Sequence, residues 1–288
     1  MTLSSVTTFC PGHLSGYFKM IQGETLATTG SIGAGIVISE GVMATVTDAD
    51  TLSVCIRKKD ESGHVRDFAS GSAPIEDILK KCGVTASVTT ECSLPISAGF
   101  GLSAAALLAT LTAVNQLYDL GLTRHDIAGR AHETEVIHRT GLGDVAACQG
   151  GGRVERQGPG IDGRIDRMYD LTEPLYAVSF GPIPTPSVLS SPERLEQIAL
   201  AFPPAPSRDL PGFFQNANTF AERSGLVTPE VQEVLAACRE EDIPAAMTMI
   251  GNGVFGYGSG ARDVLKKFGT TTELFMARTG TRILEEQP

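Results

Sequence analysis

The stretch Pro95-Ile-Ser-Ala-Gly-Phe-Gly-Leu-Ser-Ala-Ala-Ala106 constrains this chain more than any other. It follows an alternating run, Val84–Cys92, that reads as a strand, and it opens an uncharged run that reads as a helix from about Leu102. A glycine-punctuated loop between a strand and a helix start is built like an anion cradle. Gly99 and Gly101 can take positive φ and approach a ligand closely, and the helix turns its unpaired N–H groups and positive dipole end toward that place. The loop is not a Walker loop, because no Gly-Lys-Ser/Thr follows and no lysine stands near it. Nor is it a dinucleotide fingerprint, since no βαβ unit with a ribose-binding acid accompanies it. On spacing alone, phosphate binding and a purely structural turn both stay open. Ser103 reads either as a ligand of Mg²⁺ or phosphate, or as a helix-start serine bonded to backbone.

The same run tests the membrane. Residues 92–118 carry no charge, but Pro95, Gly99 and Gly101 interrupt them and the helical part is rich in Ala, Thr and Ser, so a helix buried between protein layers is expected. With 288 residues the chain can bury a large core, as about two domains or as one unit with two lobes. Lys plus Arg number 23 against 33 Asp plus Glu, a formal charge of −10, and no basic run offers a nucleic acid its phosphate contacts. The six cysteines are scattered without a Cys-x-x-Cys pair and no signal-peptide pattern is present, which leads to the expectation of reduced thiols in a cytoplasmic protein.

Strand-like runs at Ser5–Cys10, Gly35–Ser39, Val42–Asp48 and Leu52–Arg57 suggest an antiparallel meander, followed by a short helix at Ile75–Lys81. Thr123 is placed to cap a long helix reaching about Arg139, with Asp126 in its first turn. Arg153–Gln157 and Leu175–Phe180 read as strands, and helical patterns follow at Glu193–Ala201, Phe213–Ser224, Pro229–Glu240 and Ile243–Val254. Strands first and helices later predict an α+β chain whose halves divide between about 155 and 172.

On the second helix His132, Glu135 and Arg139 share one face, which can line a site or, with a Glu135–Arg139 pair, meet solvent. Asp144, after Thr-Gly-Leu-Gly, reads either as a helix N-cap or as an acid placed to take a hydroxyl proton or hold a metal. Arg153 and Arg156 can each pair bidentately with a carboxylate, or sit on the surface.

Three separated segments together resemble the GHMP small-molecule kinases. Pro95, Gly99, Gly101, Ser103, Ala104 and Ala105 match that family's Pro-x-x-x-Gly-Leu-Gly-Ser-Ser-Ala-Ala, with Phe100 and Leu102 in place of the usual Leu and first Ser. Cys10-Pro11-Gly12-His13 resembles the family's Pro-Gly opening after the first strand. The helix with Glu135, leading to Gly141-Leu-Gly-Asp144 and then Gly151-Gly152, resembles the segment that supplies its metal-binding Glu and catalytic Asp. The family's C-terminal glycine-rich turn is echoed only by Gly251-Asn-Gly and Gly256-Tyr-Gly-Ser-Gly260, without a Gly-Gly pair. Within the family, Pro11–Phe18, Gly30–Gly35, Ala131–Val136 and Thr140–Val145 resemble the archaeal branch that phosphorylates pantoate.

The resemblance implies an α+β, two-lobed fold: a mixed α/β ATP-binding lobe over 1–157, an α+β lobe over 158–288, and the active site between them. It implies transfer of a phosphoryl group from ATP, with Mg²⁺, to the terminal hydroxyl of pantoate, giving 4-phosphopantoate on the archaeal route to coenzyme A. By the same resemblance Asp144, Glu135 and Ser103 are the catalytic set, with Ser103 and Glu135 holding the metal. Pro95, Ser97, Ala98, Gly99, Phe100, Gly101, Leu102, Ser103 and Ala104 are implied to hold the nucleotide, and Ser31, His132 and Arg156 the substrate, with Arg153 second to Arg156. Members acting on shikimate or homoserine, and a non-catalytic ligand-binding member, are the alternatives. The implied partner is a small molecule, with no nucleic acid and no membrane, and a homodimer stays open.

Overall fold

The computed structural model describes residues 3–60 and 62–288. Two long strands, β1 (Ser5–Ile21) and β2 (Gly30–Asp48), pair antiparallel along almost their whole length. After the hairpin β3 (Ser53–Lys59) and β4 (Val65–Ser70), helix α1 (Ala73–Cys82) carries the chain across to β5 (Ala86–Cys92). That strand inserts between β2 and β3, antiparallel to one and parallel to the other. The expected plain meander is therefore corrected: the parallel β3–β5 pair needs a crossover, and α1 is that crossover.

The loop at 95–101 leads into α2 (Leu102–Tyr118), followed by α3 (Arg124–His138), α4 (Asp144–Cys148), β6 (Arg153–Arg156) and β7 (Ile165–Met168). Helix α2 packs between β1 and β2 on one side and α1 and α3 on the other, and ten of its 17 residues are buried. An uncharged helix buried on both flanks needs no lipid, and among the described residues no helix is long and apolar enough to cross a membrane. Helix α3 begins as expected: Thr123 Oγ1 accepts from Asp126 N–H at 3.1 Å and Asp126 Oδ2 accepts from Thr123 N–H at 2.9 Å, a capping box.

The remaining chain runs through β8 (Leu175–Pro182), α5 (Thr185–Leu189), α6 (Pro192–Ala201), α7 (Leu210–Ser224) and α8 (Pro229–Glu240). It ends with β9 (Ala245–Met247), β10 (Gly251–Tyr257), α9 (Ser259–Leu265), β11 (Thr272–Leu274) and β12 (Arg282–Gln287). The second sheet has the order β11-β8-β10-β9, antiparallel throughout, while β7 and β12 join the first sheet through β6 and β1. The helix expected over Ile243–Val254 is thus two strands and a turn. Its apolar run fits a buried strand as well as a buried helix, and Gly251 and Gly253 weaken the helix while β8 offers a partner.

A cluster of aromatic rings joins the two sheets. Phe18 of β1 meets Phe220 of α7 with ring centroids 5.9 Å apart, Tyr17 meets Phe213 at 6.2 Å, and Phe213 meets Phe255 of β10 at 6.5 Å. Strand β1 is thereby shared by both halves. It carries bulges at Pro11/Gly12 and Ser15/Tyr17, and between them both His13 and Leu14 are fully buried.

Candidate active site

The loop after β5 has the backbone an anion cradle needs. Ser97, Gly99 and Gly101 all have positive φ, at +60°, +84° and +64°. Gly101 is the N-cap of α2, and no side chain accepts from the helix's first amides, so those donors are left for a ligand. Ser97, Gly99, Phe100, Gly101, Leu102 and Ser103 line a cavity of about 430 Å³, whereas Pro95, Ala98 and Ala104 lie behind its wall. On the far side the turn before β10 presses on the loop, and Met249 and Ile250 complete the rim. It is Gly251, not the Gly256–Gly260 segment, that meets the phosphate loop. One end of the cavity is apolar, walled by Val42, Ile56, Ile75, Cys92, Ile96 and Leu107. A flat base would be desolvated there.

At the other end stand the acids. Glu135 is 1% exposed, and the Thr140 hydroxyl donates to its Oε1 at 3.4 Å while Oε2 is buried with no partner. Burial, reinforced by the charge of Asp144, pushes its carboxyl up to about 8, although the Ser103 and Thr140 hydroxyls pull the other way. A solvated Glu135–Arg139 surface pair is not what forms: Arg139 is the left-handed C-cap of α3 and donates to Ser190 Oγ at 2.7 Å.

Asp144 does not cap a helix either. Gly143 is the N-cap of α4 and Asp144 is its first residue, a quarter of its side chain open to the cavity. His13 Nδ1 lies 2.6 Å from Asp144 Oδ1. The carboxylate can only accept, and complete burial draws the imidazole's pKa below 6.5, so a neutral His13 donates from Nδ1–H. Burial alone would raise the Asp144 carboxyl, but the His13 hydrogen bond and the Arg156 charge overcome it and hold the group below its ordinary value.

Arg156 is 3% exposed and donates from Nη1 to the Gly143 carbonyl at 3.1 Å and from Nη2 to Ser31 Oγ at 3.4 Å. Its Nε is buried without a partner, and among the described residues no carboxylate lies within 4 Å of it. Gly143 makes this approach feasible, since a Cβ there would stand 2.7 Å from Arg156 Cζ. Arg153, three residues earlier on the same strand, points the opposite way: its Nη2 meets Asp170 Oδ2 at 2.6 Å and Nη1 reaches Ser207 Oγ at 3.2 Å. Ser31 and Arg156 line the cavity; His132 does not. The His132 Nε2–H donates to the Thr29 carbonyl at 2.8 Å, so it braces the start of β2, where Ser31 stands.

Ser103, Asp144, Ser31 and Arg156 are thus gathered around one cavity, with Glu135 directly behind its Thr140–Gly141 wall and His132 also behind it. His13 and the apolar wall are missing from the sequence-derived site, although Cys10-Pro11-Gly12-His13 stood out as a motif. For a divalent cation the donor set fits. Ser103 and Glu135 offer hard oxygens, one of them a buried carboxylate oxygen with no partner. Among the described residues no group of three or more His, Cys, Asp or Glu is placed to hold a metal ion.

The model of the GHMP kinases N terminal domain matches residues 72–152. The chain is 46% identical over 284 residues to a pantoate kinase of Methanospirillum hungatei, covering 99% of this chain and 98% of that one. It is 30% identical over 276 residues to a pantoate kinase of Thermococcus kodakarensis, covering 87% and 86%. A solved structure described as a phosphotransferase related to the CoA biosynthesis pathway superposes with a TM-score of 0.76 at 23% identity, over 97% of this chain and 98% of that one.

Proposed function

Because this chain belongs to the GHMP kinases, we propose that it transfers the γ-phosphoryl group of ATP to the terminal hydroxyl of pantoate, giving 4-phosphopantoate and ADP. The similarity to pantoate kinases supports pantoate among such acceptors, and one structural observation carries the class, an acceptor with a carboxylate. Arg156 is a buried cation facing the cavity beside Asp144, with a free Nε–H and no carboxylate of its own, so an acceptor bearing a carboxylate completes it. Ser31 adds a hydroxyl at the same place, and His132 holds that strand in position through the Thr29 carbonyl.

The nucleotide then lies along the cavity with its base against Val42, Ile56 and Cys92 and its phosphates on the amides of the 99–103 loop. Ser103 and Glu135 would hold Mg²⁺, which when bound neutralises charge on the phosphates. Phosphoryl transfer goes through a loose transition state and asks little covalent help of the protein. Asp144 matches that demand. With its carboxyl held below the ordinary range it is a weak base, suited to orienting the hydroxyl in line and accepting its proton late, as the new O–P bond forms. His13 occupies Oδ1 and leaves Oδ2 for the acceptor. In this reading residues 1–157, joined by β7 and β12 in the first sheet, form the nucleotide lobe, and the rest of 158–288 the second lobe.

The test is ADP release from Mg-ATP with pantoate, pantothenate, homoserine, shikimate and mevalonate in turn. Turnover with pantoate alone is expected, and pantothenate, whose pantoyl carboxyl is an amide and whose free carboxylate sits at the far end of its β-alanine part, should fail. Faster turnover with any other acceptor would overturn the substrate assignment.

A further inference from the structure

Arg167, on β7, is a half-buried cation that no acid answers. Among the described residues its guanidinium has no carboxylate within 4 Å; it donates instead from Nη1 to the carbonyls of Ala147 and Gly151, each at 2.9 Å, and from Nη2 to the carbonyl of Ala146 at 3.0 Å. Those carbonyls belong to the C-terminal end of α4 and the turn after it. Helix α4 has five residues, too few to sustain itself, and no side chain caps its start. Its first residue is Asp144, so the pose of this one turn decides where the carboxylate points.

Two arginines of one hairpin hold the turn at both ends. Arg156 takes the Gly143 carbonyl at the N-terminal side, and Arg167 takes three carbonyls at the other; β6 and β7, which carry them, pair with Arg156 opposite Ile165 and Val154 opposite Arg167. Resting on the reading that Asp144 acts on the acceptor hydroxyl, we propose that Arg167 is a positioning residue for Asp144, locking α4 so that turnover, and not ligand binding, depends on its planar fork. A guanidinium can span three carbonyls in fixed directions, while an ammonium on a flexible stem cannot. Burial draws the Arg167 pKa down, yet an arginine stays protonated, and its charge is felt at both His13 and Arg156. Space for the fork depends on Gly150, where a Cβ would stand 2.9 Å from Arg167 Cζ.

The experiment is steady-state ADP release by wild type, Arg167→Met, Arg167→Lys, Asp144→Asn and the Asp144→Asn/Arg167→Met double variant, with both KM values. Arg167→Met should lower kcat about 10- to 100-fold, as displacement of a reacting group by a fraction of an ångström does. Both KM values should stay within about threefold of wild type. Arg167→Lys should not restore kcat. In the Asp144→Asn background the same change should cost less than about twofold, because a residue acting through Asp144 has nothing left to position. Gly150→Ala displaces the same guanidinium and should reproduce the kcat loss, which keeps the test standing if Arg167→Met does not fold. A kcat within about twofold of wild type, a loss confined to KM, or a full multiplicative loss on top of Asp144→Asn would each overturn the assignment. Absence of ADP release by the wild type would instead sink the kinase reading itself.

Discussion

Replacing Gly101 with alanine should separate stability from catalysis. Gly101 sits at φ +64°, and a Cβ there would lie 3.0 Å from the His13 backbone N and 3.1 Å from its Cβ and carbonyl O. Holding an L-residue in the left-handed region costs about 1–2 kcal/mol, and the stiffer unfolded chain returns about 0.4–1 kcal/mol. The net is roughly 1 kcal/mol, a fall in Tm of about 2–4 °C in a chain of this size. The catalytic effect is larger. All three crowded atoms are backbone or Cβ of one residue, with no flexible end to swing aside, so His13 itself must shift by a few tenths of an ångström. His13 holds Asp144 at 2.6 Å, and the amides of α2 begin at the same glycine, so both reacting partners are displaced. If a misplacement of about 1 Å costs about 100-fold, a shift of this size costs about tenfold in kcat. The assay is ADP release at saturating Mg-ATP and acceptor, beside a thermal melt. A kcat within about twofold of wild type, with Tm lowered as expected, would refute the idea that the His13 backbone couples the loop to Asp144.

Arg156→Met should raise the KM for the carboxylate-bearing acceptor by about tenfold or more with a smaller change in kcat, and Arg156→Lys should not rescue it, because the fork to Gly143 and Ser31 is lost; an unchanged KM refutes the carboxylate role. Asp170→Ala strands a fully buried Arg153 and should cost about 2–4 kcal/mol in urea unfolding, less than a wholly buried pair because a third of Asp170 is exposed, while kcat is unaffected. Burial holds the His132 pKa below 6.5, so the unfolded chain takes up a proton there that the folded chain refuses. Stability from this group is therefore complete above about pH 7 and is lost as pH falls below 6.5, by up to about 1.4 kcal/mol per pH unit; urea midpoints should fall less steeply toward about pH 5 in His132→Gln than in wild type.

What the chain order reveals and what it hides follow from distance and face. The phosphate loop, the Thr123 cap and the helix bearing Glu135 are local, each written in fewer than twenty consecutive residues, and the structure keeps all three. His13 lies 131 residues from the carboxylate it meets, and the Cys10-Pro11-Gly12-His13 motif marks the place without naming that partner. Arg153 and Arg156 illustrate the limit of type without direction. Three apart on a strand they face opposite sides, one to Asp170 and one to Ser31, and only the placement of the sheet says which side is the cavity. The apolar wall draws on β2, β3, α1, β5 and α2, so no single stretch could announce it. β5 went unplaced because a parallel partner is chosen by the crossover and not by the turn signals around it.

Helix α2 has one more consequence, in time and not in space. From Ala105 onward its amides are bonded within the helix and packed between a sheet and two helices, so they should exchange slowly with solvent. The donors proposed to meet the triphosphate stand at the cavity end of that same helix, anchored by it. The opposite rim is built differently: Pro184–Leu189 and Met249–Ile250 are a short helix and a turn that flank β8 and β10 of the second sheet. On the proposed reading the nucleotide therefore rests against the end of a helix that is fixed along the rest of its length.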